Sequence, residues 1–221
     1  MSTGFSILLA RHPAVQIREG LCYGRTDVPL ASGWEPVVAK WQQIWCDGVG
    51  FAQDADYRVF HSPATRCSVA ARHFASYDAD ARGRPDSHAD DCHTDCCHTD
   101  CCHADLRLAE LDFGAWENRL WSEVPRDDLD DWAADPMGYA PGGGETVEAL
   151  TERVAAFWHE RLQASQTCCI VTHGGPLRVM LALAENRAFR PEDPAPQQGQ
   201  ATLLHFSNNP GGFVAQSLPI R

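Results

Sequence analysis

Two short apolar runs of the chain each end in a histidine, and these histidines are well suited to chemistry. The first run is Phe5–Pro13, with the sequence FSILLARHP, and the second is Cys168–Pro176, with the sequence CCIVTHGGP. Each run is typical of a buried strand, and ligands of open α/β sheets bind beyond the carboxyl ends of the strands. A guanidinium at Arg11 can fork onto an anion, and a neutral imidazole at His12 is nucleophilic near neutral pH. We therefore expect one site built from both strand ends.

Four motifs occur in order along the chain, and together they resemble a known family. They are Arg11-His12, Ser62-Pro63-x-x-Arg66, Glu110 within LAELDFGAWE, and Thr172-His173-Gly174. In this order and at this spacing the motifs resemble those of the histidine phosphatase superfamily, which has the phosphoglycerate mutase-like fold. The resemblance runs from about Phe5 to about Glu185 and is interrupted by one insertion. The local forms RHP, LCYGRTDVPL and ELDFGAWE are closest to the α-ribazole phosphatase branch.

The resemblance implies a role for each of these residues, and the chemistry of phosphoryl transfer agrees with it. Such a transfer needs positioning and donors around three equatorial oxygens, which Arg11 and Arg66 can supply through forked contacts. His173, if protonated, adds a third cationic donor. His12 is then the nucleophile that forms a phosphohistidine, and Glu110 protonates the leaving alkoxide and later deprotonates water. This chemistry requires no metal and no cofactor.

A loop from Ala14 to Ala31 follows the first strand, and we expect it to lie over the strand ends. Within it, Tyr23 and Gly24 are candidate substrate contacts, although a turn and a buried aromatic residue fit the same pattern. Trp116 and Trp121 have two possible places as well, because they can line a substrate pocket or belong to the core. The sequence leaves both alternatives open for these four residues.

The choice between a phosphatase and a mutase rests on a different part of the chain, because both types share the phosphohistidine. A mutase binds a carboxylated phosphosugar acid, and mutases of this family carry an arginine-rich segment after the acid glutamate. Here the segment between Glu110 and Pro141 is acidic, with only Arg119 and Arg126 as cations. An acidic segment repels a carboxylated substrate. The sequence therefore predicts a phosphatase.

Strand and helix patterns alternate along the chain and predict the elements that hold these residues. Helices are predicted after Ser32, from Pro63 with Ser62 as its N-cap, between residues 120 and 135, from about residue 147 to Leu162, and from Pro176 to about Ala184. Further strands are predicted at Tyr57–Phe60 and Leu106–Leu108, and an edge hairpin at Thr202–Phe206 and Phe213–Leu218. This alternation predicts an α/β fold with three layers, in which a doubly wound, mainly parallel sheet is flanked by helices.

Composition limits the classes of protein to which the chain can belong. Its 221 residues, 44% of them hydrophobic, predict a single domain over residues 1–221. The net charge of −12 disfavours binding to nucleic acid or to an anionic membrane. Because we find no targeting signal and no apolar stretch of transmembrane length, we expect a cytoplasmic protein with reduced cysteines. The expected partner is a small phosphomonoester, and the oligomeric state stays open.

Residues 86–105 form an insertion that repeats with a period of five, as HADDC, HTDCC, HTDCC and HAD from residue 88 onward. The stretch holds six aspartates and no lysine or arginine, and five of the ten cysteines of the chain lie between residues 92 and 102. A period of five matches neither a helix nor a strand, which predicts a disordered acidic segment. Because His and Cys are zinc ligands, an evolved metal site is the alternative, although no single C-x-x-C pair frames it.

The sequence therefore predicts a phosphomonoesterase that works through a phosphohistidine. The resemblance implies that its substrate is α-ribazole 5′-phosphate, an intermediate of cobalamin biosynthesis. Two alternatives stay open, a broad-specificity phosphatase of the same fold and a metal-binding protein whose functional part is the repeat. Metal-independent turnover that is abolished at His12 would separate the enzyme from the metal-binding protein.

Overall fold

A computed structural model describes residues 4–49, 57–81, 101–209 and 212–217. The strands are β1 (Phe5–Arg11), β2 (Arg58–His61), β3 (Cys102–Ala104), β4 (Cys168–Thr172), β5 (Ala201–Asn209) and β6 (Gly212–Ser217). The α-helices are α1 (Glu35–Val49), α2 (Thr65–Ala81), α3 (Arg126–Ala134), α4 (Val147–Ala164) and α5 (Gly174–Ala184). Short 3-10 helices span Leu106–Leu108, Gly114–Trp116, Trp121–Glu123 and Pro141–Gly143. In the described ranges, no helix has both the length and the apolar character that crossing a membrane requires.

Within the described residues, six strands form one sheet in the order β3-β2-β4-β1-β5-β6. The strands β1, β2, β3 and β4 are parallel, whereas β5 and β6 form an antiparallel hairpin at one edge, as predicted. This order makes β2, β4 and β1 neighbours. Their carboxyl ends therefore meet at one side of the sheet, where the motifs that follow these strands come together.

Helices cover both faces of the sheet, which explains why the centre of β1, from Ile7 to Ala10, is continuously apolar. On one face Ile7 belongs to a buried cluster with Phe157 of α4. On the other face Leu8 belongs to a second cluster with Trp41 of α1 and Phe74 of α2. The three-layer α/β fold that the alternation predicts is thus confirmed, and the two helical layers hold the sheet that carries the strand-end residues.

Two local predictions are wrong in detail. The helix expected to begin at Pro63, with Ser62 as its N-cap, begins at Thr65, where the Asp27 carboxylate accepts from the Thr65 amide at 2.9 Å. The strand expected at Leu106–Leu108 is a 3-10 helix, and the Asp105 carboxylate caps its start by accepting from the amide of Arg107. In both places a carboxylate that accepts from the backbone stabilises the helical start.

The C-terminal end of the repeat is ordered, since Cys102–Ala104 forms β3 and pairs in parallel with β2. Cys101 and Cys102 pack against the cluster that contains α1 and α2. The prediction that the repeat builds no strand is therefore wrong for these residues. The edge of β2 supplies backbone partners, and such pairing outweighs the local pattern. Residues 82–100 lie outside the described residues, and among those described no three His, Cys, Asp or Glu side chains form a group that could hold a metal.

Candidate active site

The carboxyl ends of β1, β2 and β4 border a cleft of about 410 Å³. Six of the seven residues that the sequence singles out line this cleft, and they are Arg11, His12, Tyr23, Arg66, Glu110 and His173. The seventh, Gly24, is not a lining residue. Much of the remaining wall is apolar or aromatic, with Leu21, Phe113, Trp121, Trp132 and Phe189. The fold thus brings residues from distant parts of the chain into one site.

His12 is almost fully buried at the end of β1, and its ring is held in one tautomer. Its Nδ1 lies 2.7 Å from the carbonyl oxygen of Pro13, which can only accept, so Nδ1 carries the proton and Nε2 keeps a lone pair. Burial lowers the pKa of His12 to about 3, and Arg66 and Arg11 act in the same direction, although the bond to Pro13 opposes them. His12 is therefore a neutral imidazole at neutral pH, as a nucleophile must be.

His173 follows β4, and its ring centroid lies 5.2 Å from that of His12. Its Nδ1 accepts from Nε of Arg66 at 3.3 Å, which leaves Nε2–H to donate to Oγ of Ser62 at 2.7 Å. Burial lowers the pKa of His173 well below its usual range, and Arg66, His12 and Arg11 add to that effect. The possibility of a protonated His173 is therefore corrected: the side chain is neutral, because it is buried among cations.

Arg66 lies in the first turn of α2 and is fully buried. Its Nη1 donates to the carbonyl of Thr26 at 2.8 Å and its Nη2 to the carbonyl of Gly24 at 2.6 Å. Gly24 therefore holds Arg66 rather than lining the cleft. The guanidinium also lies 5.4 Å from the centre of the Tyr23 ring. All its described partners are neutral, and a buried cation without a counter-charge favours the binding of an anion.

Arg11 is the second cation of the site. Its Nη1 donates to the carbonyl of Pro196 at 2.7 Å, whereas its buried Nε has no hydrogen-bond partner among the described residues. A Cβ on Gly174 would lie 3.3 Å from Cζ of Arg11, so the glycine leaves room for the guanidinium against α5. Two guanidiniums beside one neutral nucleophile form a suitable environment for a phosphate group.

Glu110 reaches the N-terminus of α5 from the turn after Leu106–Leu108. Its carboxylate accepts from the amide of Leu111 at 3.0 Å and from the amide of Gly175 at 3.1 Å. A Cβ on Gly175 would lie only 2.3 Å from Oε1 of Glu110, so this approach requires glycine. Arg153 fixes the turn by donating to the carbonyls of residues 107 and 109. The motifs assign no role to Gly175 or Arg153, although the Gly-Gly pair after His173 is a usable signal.

The two tryptophans left open by the sequence have different places. Trp121 lines the cleft, whereas Trp116 is buried in a cluster with Cys22 and Val124. Trp132, which the sequence analysis did not single out, also lines the cleft and stacks on Trp121 with ring centroids 6.1 Å apart. The segment that contains α3 therefore supplies an aromatic wall of the cleft.

The fold and the site define an α/β protein in which two arginines and two histidines line one cleft. The family model of the histidine phosphatase superfamily (branch 1) matches residues 98–219, more than half of the chain, and the chain belongs to this superfamily. The match includes Glu110 and His173, whereas His12, Arg11 and Arg66 precede it. The family recognised from the motifs is thereby confirmed.

Solved structures share this fold over nearly the whole chain. A candidate alpha-ribazole-5′-P phosphatase from Escherichia coli K-12 is 21% identical with a TM-score of 0.71, over 98% of this chain and 97% of its own. The alpha-ribazole phosphatase of Shigella flexneri is 22% identical with a TM-score of 0.68, over 97% and 96%. A mycobacterial glucosyl-3-phosphoglycerate phosphatase is 14% identical with a TM-score of 0.67, over 97% of both chains. No curated protein shows a significant sequence match to the chain.

Proposed function

We propose that this protein is a phosphomonoesterase that works through a phosphohistidine at His12. The geometry of His12 carries the proposal. The imidazole is buried and neutral, the carbonyl of Pro13 holds its Nδ1–H, and Nε2 keeps its lone pair close to Arg11 and Arg66. A neutral nucleophile next to two phosphate-binding cations is what a covalent phosphoryl transfer requires.

The reaction then has two steps. In the first, the two guanidiniums hold the phosphate oxygens, Nε2 of His12 attacks phosphorus, and the ester P–O bond breaks. Glu110 in its protonated form gives its proton to the leaving alkoxide. In the second step the Glu110 carboxylate takes a proton from water, the resulting hydroxide attacks phosphorus, and the N–P bond breaks. Inorganic phosphate and neutral His12 are the products, and no metal takes part.

For the substrate we propose α-ribazole 5′-phosphate. The local forms of the motifs, the names of two structural neighbours and the aromatic wall of the cleft support it. A flat heterocyclic leaving group would pack against Trp121 and Trp132, because aromatic rings offer a large apolar contact area. A broad-specificity phosphatase is the second candidate. The observation that favours it is the mostly apolar wall, which offers few polar groups to select one alcohol.

The test of the mechanism is rapid quenching with a phosphate-labelled aryl ester. We expect an acid-labile, base-stable phosphoenzyme in the wild type and none in His12→Ala, which should also lose turnover. His159→Ala is the matched control, because His159 is exposed on α4 and away from the cleft. Unchanged activity of His12→Ala would contradict the mechanism.

The test of the substrate is a panel of phosphomonoesters. We expect the highest kcat/KM for α-ribazole 5′-phosphate, compared with 3-phosphoglycerate, sugar phosphates and a generic aryl phosphate. Similar values across the panel would favour the broad-specificity phosphatase instead. A preference for 3-phosphoglycerate would contradict both candidates, because the segment after Glu110 is acidic.

A further inference from the structure

Glu117 binds the backbone of the loop Gly24–Thr26, which also contacts Arg66. Its carboxylate accepts from three consecutive amides, those of Gly24 at 3.0 Å, Arg25 at 2.9 Å and Thr26 at 3.0 Å. It also accepts from the Thr26 hydroxyl at 2.5 Å and from the amide of Phe113 at 3.2 Å. Consecutive amides that converge on one carboxylate form an anion-binding concavity, which here is filled by the protein's own side chain.

The same loop holds the phosphate-binding arginine. Gly24 and Thr26 each donate an N–H to Glu117, and the carbonyl of each accepts from Arg66 at 2.6 Å and 2.8 Å. The Nε of Arg66 in turn donates to His173. A continuous chain of hydrogen bonds therefore leads from the Glu117 carboxylate through the loop to two residues of the site.

The loop packs closely against its neighbours at Gly24. A Cβ on Gly24 would lie 1.9 Å from the carbonyl oxygen of Leu111 and 2.8 Å from Oε1 of Glu117. Residues 24–26 belong to no helix or strand, so the Glu117 carboxylate supplies their amides with the partner that secondary structure provides elsewhere. Glu117 itself does not line the cleft.

We propose that Glu117 is a positioning residue for the phosphate pocket, acting through Gly24–Thr26 on the guanidinium of Arg66. This inference rests on the proposed function, because it concerns the same site. A carboxylate suits the role since it only accepts, with about four lone-pair positions for the five donors around it. A glutamine would turn an NH₂ group towards amide donors and lose part of this set.

The test is Glu117→Gln, measured by steady-state kinetics with an aryl phosphate and by inhibition with inorganic phosphate and vanadate. We expect KM and both inhibition constants to rise by about 10- to 100-fold, as for the loss of a hydrogen bond to a charged group, with a smaller fall in kcat. The matched control is Glu123→Gln, whose carboxylate caps the neighbouring 3-10 helix at Leu120 and should leave all three constants unchanged.

A double-mutant cycle separates positioning from general stabilisation. In an Arg66→Lys background, Glu117→Gln should add less than about twofold, because coupled residues are not additive. The inference would be overturned if Glu117→Gln raised the inhibition constants equally in the wild-type and Arg66→Lys backgrounds. It would also be overturned if Glu117→Gln alone were inhibited by phosphate as strongly as the wild type. If Glu117→Gln does not fold, Thr26→Val carries the test, because it removes only the hydroxyl. We expect about a 3- to 10-fold rise in the inhibition constants, and no rise would equally overturn the inference.

Failure of the proposed function and failure of the role of Glu117 give different results. A wild-type protein that hydrolyses no phosphomonoester would contradict the proposed function. Calorimetry would still measure the coupling between Glu117 and Arg66 in that case. The quantity measured is the affinity for inorganic phosphate of the wild type, of Glu117→Gln, of Arg66→Lys and of the double variant. Additive losses of phosphate affinity there would overturn the inference, and non-additive losses would support it.

Discussion

The charges of the site follow from what burial does to each type of side chain. An arginine stays charged when it is buried, because its intrinsic pKa is far above neutrality. A histidine gives up its proton instead, and the guanidiniums of Arg11 and Arg66 strengthen this effect on His12 and His173. Burial is the main cause that keeps the nucleophile unprotonated, and the two cations beside it add to this effect. Arginine next to histidine at a strand end supplies both functions.

Glu110 is the residue whose chemical role is most open to a direct test. Glu110→Gln keeps the shape of the side chain but cannot transfer a proton. We expect alkyl phosphates to lose about 10²- to 10⁴-fold in kcat, whereas aryl phosphates with good leaving groups should lose much less in the first step. Single-turnover release of the alcohol measures this step apart from hydrolysis of the phosphoenzyme.

Glu148→Gln is the control for this experiment, because Glu148 is exposed in the first turn of α4. Equal losses on alkyl and aryl substrates would contradict general acid catalysis. They would show that Glu110 orients the substrate or the N-terminus of α5 instead.

At the scale of elements, the boundary of the insertion matters for both stability and function. Residues 86–105 were set apart by their composition, but Cys102–Ala104 is a strand of the sheet and Asp105 caps the next 3-10 helix. The insertion that lies outside the fold is therefore shorter than the repeat, because the last residues of the repeat belong to the sheet and to the helix cap.

We expect residues 83–99 to be dispensable for catalysis. Their replacement by a short Gly/Ser linker should change kcat/KM by less than about twofold, because each doubling of loop length costs only about 0.6 kcal/mol. A chelator should not change the activity of either protein. Replacement of residues 86–105 should instead lower the melting temperature by about 4 to 8 °C, since it removes β3 and roughly 2 kcal/mol of packing and pairing.

Two results would contradict this prediction. Loss of activity in the shorter replacement would show that the repeat belongs to the site. Inhibition of the full-length protein by a chelator would favour the metal-binding alternative, whose Cys and His ligands lie mainly within residues 88–103.

For the whole molecule, the buried histidines make stability depend on pH. Burial lowers the pKa of His12, His61 and His173 below that of an unfolded histidine. Between the two pKa values the unfolded chain binds more protons than the folded one, so the free energy of unfolding must fall as pH decreases below about 6.5. The carboxylates of Asp105 and Glu117, whose pKa values are lowered, contribute only near and below their unfolded pKa of about 4.

We therefore expect denaturant unfolding to show full histidine-linked stability above pH 7 and a steady loss from pH 6.5 to pH 5. Each histidine contributes a slope of up to about 1.4 kcal/mol per pH unit. His61→Ser removes one such group outside the cleft and should reduce the slope by about that amount. A stability that is flat or rises over this range would contradict the pKa directions.

The sequence by itself determined the strands that carry the chemistry and their order along the chain. Apolar runs that end in Arg11-His12 and Thr172-His173 are local patterns, and a strand buried on both faces needs nothing beyond such a run. The family followed from the resemblance of the four ordered motifs, and the three-layer fold followed from the alternation of strand and helix patterns. The place of Arg66 at the cleft followed as well, because the ends of parallel strands meet at one side of a sheet. The place of Glu110 followed only from its motif, since the strand expected before it is a 3-10 helix.

Only the tertiary structure decided the contacts between residues far apart in the chain. Glu117 and Gly24 form a hydrogen bond although they are 93 positions apart in the sequence, and His173 and Ser62 do so at a separation of 111 positions. No local sequence pattern predicts either pair. The neutral state of His173 depends on the burial and on the cations that surround it only in the folded chain. The strand Cys102–Ala104 likewise exists because the edge of β2 pairs with it, whereas its own composition predicted disorder.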